Sequence, residues 1–158
     1  MPSLTSIFLT GNLVDPDGLI QFFQIYGRQL LTLGMGVERT AGGGSTTSKS
    51  SLLDQILLFC PNLRELLPSK ILGPVGGLLY EQRQYPSIKL LGVCMSNRRL
   101  NKADWEKQYA LELFPNLITI RLIDVLDTQS GANSVIDEIP SGLVVEDALG
   151  NVINRASR

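Results

Sequence analysis

Gly43-Gly44-Ser45-Thr46-Thr47-Ser48-Lys49-Ser50 differs at one position from the phosphate-cradling pattern G-x-x-x-x-G-K-[ST]. In a working loop of that kind, backbone N–H groups wrap the phosphates, the lysine reaches the terminal ones and the hydroxyl holds Mg²⁺. Ile118 to Ile123 followed by Asp124 also imitates an apolar strand ending in a metal-binding aspartate. Two features oppose this chemistry. Ser48 replaces the second glycine, where a Cβ obstructs the wrap, and strand-like residues end near Met35, well before Gly43. A Gly/Ser linker with one lysine explains the same letters. Histidine is absent, which removes the commonest general base, the usual catalytic triads and most transition-metal sites. The acidic pairs Asp124 with Asp127, Asp137 with Glu138 and Glu146 with Asp147 read as solvated surface. We therefore expect no catalytic residue, no cofactor and no metal.

The elements that would position any site come from a chain of 158 residues, about one domain, 44% apolar and 18% charged. The formal net charge of −1 offers no electrostatic case for nucleic acid or an anionic membrane. Arg98, Arg99, Lys102 and Lys107 sit close together, but Asp104 and Glu106 lie among them, as on a solvated helix surface. No apolar run is long enough to span a bilayer, and the N-terminus lacks a secretory pattern. Cys60 and Cys94 occupy apolar segments without ligand spacing, which suits reduced, buried thiols in an intracellular protein, cytoplasmic or nuclear.

A short phrase with apolar residues at positions one, four and six recurs five times. It begins at Leu4 (with Ile7 and Leu9), Leu30 (Leu33, Met35), Leu63 (Leu66), Ile88 (Leu91, Val93) and Leu117 (Ile120, Leu122), at steps of 26, 33, 25 and 29 residues. Each phrase alternates as a strand does, and helix-forming sequence follows it. Asp15-Pro16 is a good helix start, ahead of an apolar face of Leu19, Ile20, Phe22, Phe23 and Ile25 that ends near Gly27. Ser51 and Asp54 suggest a capping box for a second helix carrying Leu52, Leu53, Ile56, Leu57 and Phe59. A third helix is short, about Leu78 to Gln84. A fourth opens at Asn101 and Asp104 and aligns Trp105, Tyr109, Ala110 and Leu113, read as packing and not as a base-stacking platform. Thr40 to Ser50 is a polar insertion that lengthens the second step.

Three phrases share a lead-in: Phe59-Cys60-Pro61-Asn62-Leu63, Tyr85-Pro86-Ser87-Ile88 and Phe114-Pro115-Asn116-Leu117. An aromatic residue packs a helix end, and proline forces extension ahead of the strand. Residues 1–126 form the repeat array. Residues 127–158 read as an irregular tail or a C-terminal cap, in which Gly142 to Asp147 and Asn151 to Asn154 pair as a hairpin around Leu149-Gly150.

The phrases resemble leucine-rich repeats of the ribonuclease-inhibitor-like kind, and the lead-ins look most like those of F-box proteins. The resemblance covers about residues 3 to 125. It implies an α/β fold, a short solenoid with a parallel β-sheet on the concave side and helices on the convex side. It also implies a protein-binding module, the substrate-recognition repeats of an F-box-like ubiquitin ligase adaptor, with cullin-type ligase components as further partners. The alternatives are a generic repeat scaffold and a P-loop-like nucleotide-binding protein using residues 43–50. Only Asn12 occupies the family's asparagine position; Glu38, Ile71, Ser96 and Val125 fill the others, and Pro68 replaces an apolar residue. No F-box segment precedes Leu4, so a fragment of a longer protein, or an end covered by a partner, is expected.

Residues between the apolar positions face outward on the expected concave side. The candidate partner-binding residues are Phe8, Leu31, Arg64, Glu65, Lys89, Leu90 and Arg121. Arg64, Lys89 and Arg121 are expected to align as a basic ridge, flanked by exposed Phe8, Leu31, Leu67, Leu90 and Ile118.

Overall fold

A computed structural model describes residues 4–11, 16–37, 47–68, 83–94, 111–123, 136 and 139–153. Six strands, β1 (Ser6–Gly11), β2 (Thr32–Val37), β3 (Glu65–Pro68), β4 (Leu90–Val93), β5 (Thr119–Leu122) and β6 (Val144–Glu146), form one sheet. All are parallel to their neighbours, and their order in the sheet is their order in the chain. Two α-helices lie among the described residues, α1 (Pro16–Tyr26) and α2 (Thr47–Phe59). The architecture is therefore α/β.

The register explains why the sequence folds this way. Ser6 lies opposite Thr32, Thr32 opposite Glu65, Glu65 opposite Leu90 and Leu90 opposite Thr119. These pairings superimpose the five phrases position by position, because the steps along the chain equal the steps between cross-strand partners. A shift of one residue would turn every apolar side chain to the wrong side. Instead Leu33, Met35, Leu66, Leu91, Val93, Ile120 and Leu122 all point into a single core with Phe23 of α1 and Leu52, Leu53, Ile56 and Leu57 of α2. Both helices thus cover the same face of the sheet. Burying each such side chain favours the fold by roughly 1.5–3 kcal/mol.

Four strands, β2 to β5, are entered through the same turn. Leu30, Leu63, Ile88 and Leu117 donate their N–H groups to the carbonyls of Gly27, Cys60, Tyr85 and Phe114 at 3.0–3.2 Å. Pro61, Pro86 and Pro115 occupy the second place of these turns, where their fixed φ is already suitable. The residues at the first place are buried. Gly27 has to be the smallest, since a Cβ there would lie 2.4 Å from the carbonyl oxygen of Phe59. Side chains link successive turns: Asn62 Nδ2 donates to the Arg28 carbonyl at 2.6 Å and Asn116 Nδ2 to the Pro86 carbonyl at 2.9 Å.

The helices correct two expectations. Ile25 is 69% exposed, since it lies about 200° around the helix from Phe23 and so points away from the core. The second helix begins at Thr47, not at Ser51. Asp54 is consequently mid-helix and buried, where it accepts a hydrogen bond from the Tyr85 hydroxyl at 3.1 Å and does not cap. Pro68 fills the third inward place of β3, buried and opposite Met35. Most of the expected third helix and most of the fourth, including Trp105 and Tyr109, lie outside the described residues; Arg83 and Gln84 at the end of the third are not helical, and Leu111–Leu113 is a 3₁₀ turn.

The sixth strand is absent from the five-phrase reading. β6 extends the ladder with Thr119 opposite Val144 and Arg121 opposite Glu146. Its outer edge meets the chain's own return: Glu146 pairs antiparallel with Val152, Asp147 N–H donates to the Asn151 carbonyl and Ile153 N–H to the Val145 carbonyl. The Asp147 carboxylate closes this turn, accepting the N–H groups of Leu149 and Asn151 and the Asn151 amide, each at 2.8 Å.

Candidate functional site: the open face of the sheet

The face away from the helices is built in cross-strand rows. The row just ahead of the strands runs Leu31, Arg64, Lys89, Ile118, in which the last three N–H groups each bond to the carbonyl of the residue before them in the row at 2.8–2.9 Å. Arg64 and Lys89 are exposed and adjacent, Leu31 is half-buried and Ile118 is 50% exposed. Arg28, from the turn before β2, joins Arg64 and Lys89 around a shallow cavity of about 390 Å³ whose lining contains no carboxylate.

The next row runs Ser6, Thr32, Glu65, Leu90, Thr119, Val144. Glu65 is half-buried and accepts a hydrogen bond from the Thr32 hydroxyl at 3.2 Å. Leu90, expected to be exposed, is only 8% so. It sits between Glu65 and Thr119 in the middle of the row, and alternation fixes which way a side chain points, not what its neighbours leave uncovered.

Arg121 leaves the expected ridge. It lies in a third row, two residues further along β5 than Thr119, opposite Gly92 on one side and Glu146 on the other. Its Nε and Nη2 both donate to one Glu146 carboxylate oxygen, at 3.0 and 2.8 Å. The ridge therefore comprises Arg64 and Lys89 with Arg28, while Arg121 is neutralised by an acid on the sixth strand. That same third row is rich in glycine. Phe8, 64% exposed, lies over Gly34, whose missing Cβ leaves room for the ring. Ile123 and Leu67 cover Gly92 in the same way. Beyond them Phe8, Gly36, Leu67, Ile123 and Ala148 line a largely apolar trough of about 370 Å³ with Arg121 at its wall.

The other candidates are separate from this face. Thr47 to Ser50 of the phosphate-loop-like stretch form the first turn of α2, and Gly43 to Thr46 lie outside the described residues. Doubly wound sheets bind nucleotides where the strand order reverses, and the order of these six strands has no reversal. Both cysteines are free thiols. Burial pushes the Cys60 thiol up to about 12, whereas Cys94 is half-buried with its Sγ 3.9 Å from the Pro68 carbonyl oxygen. Among the described residues no cluster of three or more His, Cys, Asp or Glu side chains could hold a metal, and no helix is long and apolar enough to cross a membrane.

Arg28 escapes sequence reasoning, and the Glu146–Asp147 pair, expected as solvated surface, is instead an ion-pair partner of Arg121 and a buried turn carboxylate. Arg28 stands at the turn position that proline takes in the next three units, so it carried no pattern of its own. Glu146 belongs to a strand whose phrase begins with Gly142 and ends with Asp147, neither of which supplies the apolar side chain that marks the other phrases. A signal existed nonetheless: Ile139-Pro140-Ser141 ahead of β6 repeats the Tyr85-Pro86-Ser87 lead-in. No family model, no curated protein and no solved structure matches the chain.

Proposed function

We propose that this chain is a short leucine-rich-repeat solenoid that binds a protein partner across its open sheet face. The observation that carries the reading is the match between sequence step and strand register: five apolar phrases pair in chain order with inward residues superimposed. Units that bury one side against each other in sequence and cannot do so alone are the physical definition of a stacked repeat. Purely parallel sheets are usually covered on both faces. Here the second face presents Ser6, Phe8, Thr10 and Ile118 to solvent, with cations at one edge and an apolar trough at the other. Exposed aromatic and aliphatic groups beside arginine are what protein interfaces use as anchors.

The narrower reading is that these are the substrate-recognition repeats of an F-box-like ubiquitin ligase adaptor. Its support is the repeated lead-in, aromatic or cysteine followed by Pro-Asn, whose asparagines bridge neighbouring turns. A photo-cross-linking residue at Thr10 or Ile118, introduced in cells, tests the module reading, with exposed Gln24 and Gln55 on the helices as controls. A discrete protein adduct from the sheet positions alone is the expected result; adducts from the helix positions alone would overturn it. A cullin in the cross-linked complex separates the ligase adaptor from a generic repeat scaffold.

A further inference from the structure

We propose that the strand-start edge of β2 to β4 is a docking site for an acidic segment of a partner protein, held by Arg28, Arg64 and Lys89. The inference rests on the protein-binding reading and names the chemistry of what is bound. Three observations carry it. Arg64 and Lys89 are backbone-bonded neighbours in one cross-strand row, so their backbones are a strand spacing apart, about 4.8 Å, and two exposed cationic side chains leave the sheet side by side. Like charges placed side by side on a sheet repel. Among the described residues none of the three cations has a carboxylate against it, while Arg121 and Glu146 on the same face are paired. The three cations also surround one concavity, which concentrates their field.

The surroundings decide between occupants. Asn62, Ser87 and Gln29 add hydrogen-bonding groups to the lining. Leu31 and Ile118 stand at the two ends of the Arg64–Lys89 pair, giving the row the order apolar, cation, cation, apolar. A free phosphate has no use for the apolar ends. A nucleic acid requires many more cations than three on a chain of net charge −1. A peptide with carboxylates between apolar residues complements every position.

The probe is a fluorescein-labelled glutamate-rich decapeptide with leucine at both ends, titrated into the full chain at low salt and followed by anisotropy. Comparison probes are its lysine counterpart and a single-stranded oligothymidylate. The acidic peptide is expected to bind, to weaken as salt rises, and to lose at least about tenfold in affinity in the triple variant Arg28→Gln, Arg64→Gln, Lys89→Gln. Arg83→Gln, an exposed cation outside the cavity lining, is expected to bind normally, and circular dichroism of both variants verifies folding. No binding of the acidic peptide, equal binding by the triple variant, or tighter binding of the oligonucleotide through the same cations each overturns the proposal. Failure here alongside a persistent Thr10 adduct removes only this edge site. Peptide binding without any open-face adduct instead removes the wider module reading.

Discussion

Two glycines show how one missing methyl group has opposite meanings at different places. A Cβ on Gly27 would collide with the backbone carbonyl of Phe59, held by α2 and the following turn. A Cβ on Gly34 would first meet the ring of Phe8, an exposed side chain and not backbone. Gly27→Ala is accordingly expected to destabilise the protein by about 1–3 kcal/mol, as overpacking does, and Gly34→Ala by less than about 1 kcal/mol. Urea denaturation of the two variants checks the contrast, and equal losses would contradict it. The thiols divide similarly. With its thiol pushed up to about 12 by burial, Cys60 should resist iodoacetamide at pH 8 until the chain unfolds, while half-buried Cys94 is alkylated in the native protein. Mass spectrometry after timed labelling reads this directly.

At the scale of elements, the turns ahead of the strands are the repeated joints. Removing the Asn116 amide should cost about 0.5–1.5 kcal/mol, the worth of one hydrogen bond, and Asn62→Ala a similar amount. The two sites are far enough apart for the losses to add, which a double variant measures. The closing turn after β6 adds a pH dependence. Hydrogen bonds from the Asn151 side chain and backbone, with others from Leu149 and Gly150, hold the Asp147 carboxyl below its ordinary 3.8. The unfolded chain therefore binds the proton first as acid is added. Asp147's stabilising contribution is complete above about pH 4 and disappears as pH falls through its lowered folded value. Asp147→Asn should flatten the acid limb of thermal stability between those points; an unchanged limb would show that the turn does not depend on the charge.

For the molecule as a whole, the ladder tolerates steps of different length because the phrases, not the lengths of the segments between them, set the strand register. The step from β2 to β3 is 33 residues and that from β3 to β4 is 25, yet both place the same positions opposite each other. Deleting residues 41–45 is expected to change stability by less than about 1 kcal/mol, while Ile120→Ala, in the shared core, should cost about 2–5 kcal/mol. Denaturant midpoints distinguish the two. Much of this architecture was legible in Leu30, Leu63, Ile88 and Leu117, whose recurrence encodes register directly. The pairing of Arg121 was not, because its partner lies on a strand where Gly142 and Asp147 hide the phrase. Nor was the burial of Leu90 or the position of Asp54, since each depends on neighbours brought in from other units.

The return of residues 151–153 along β6 has a bearing on crowded solutions. A bare parallel strand is a template onto which a second molecule can knit its own backbone. At β6 the chain has already supplied that neighbour from itself through Val152 and Ile153. A second molecule seeking to add its backbone on that side would first have to displace these bonds.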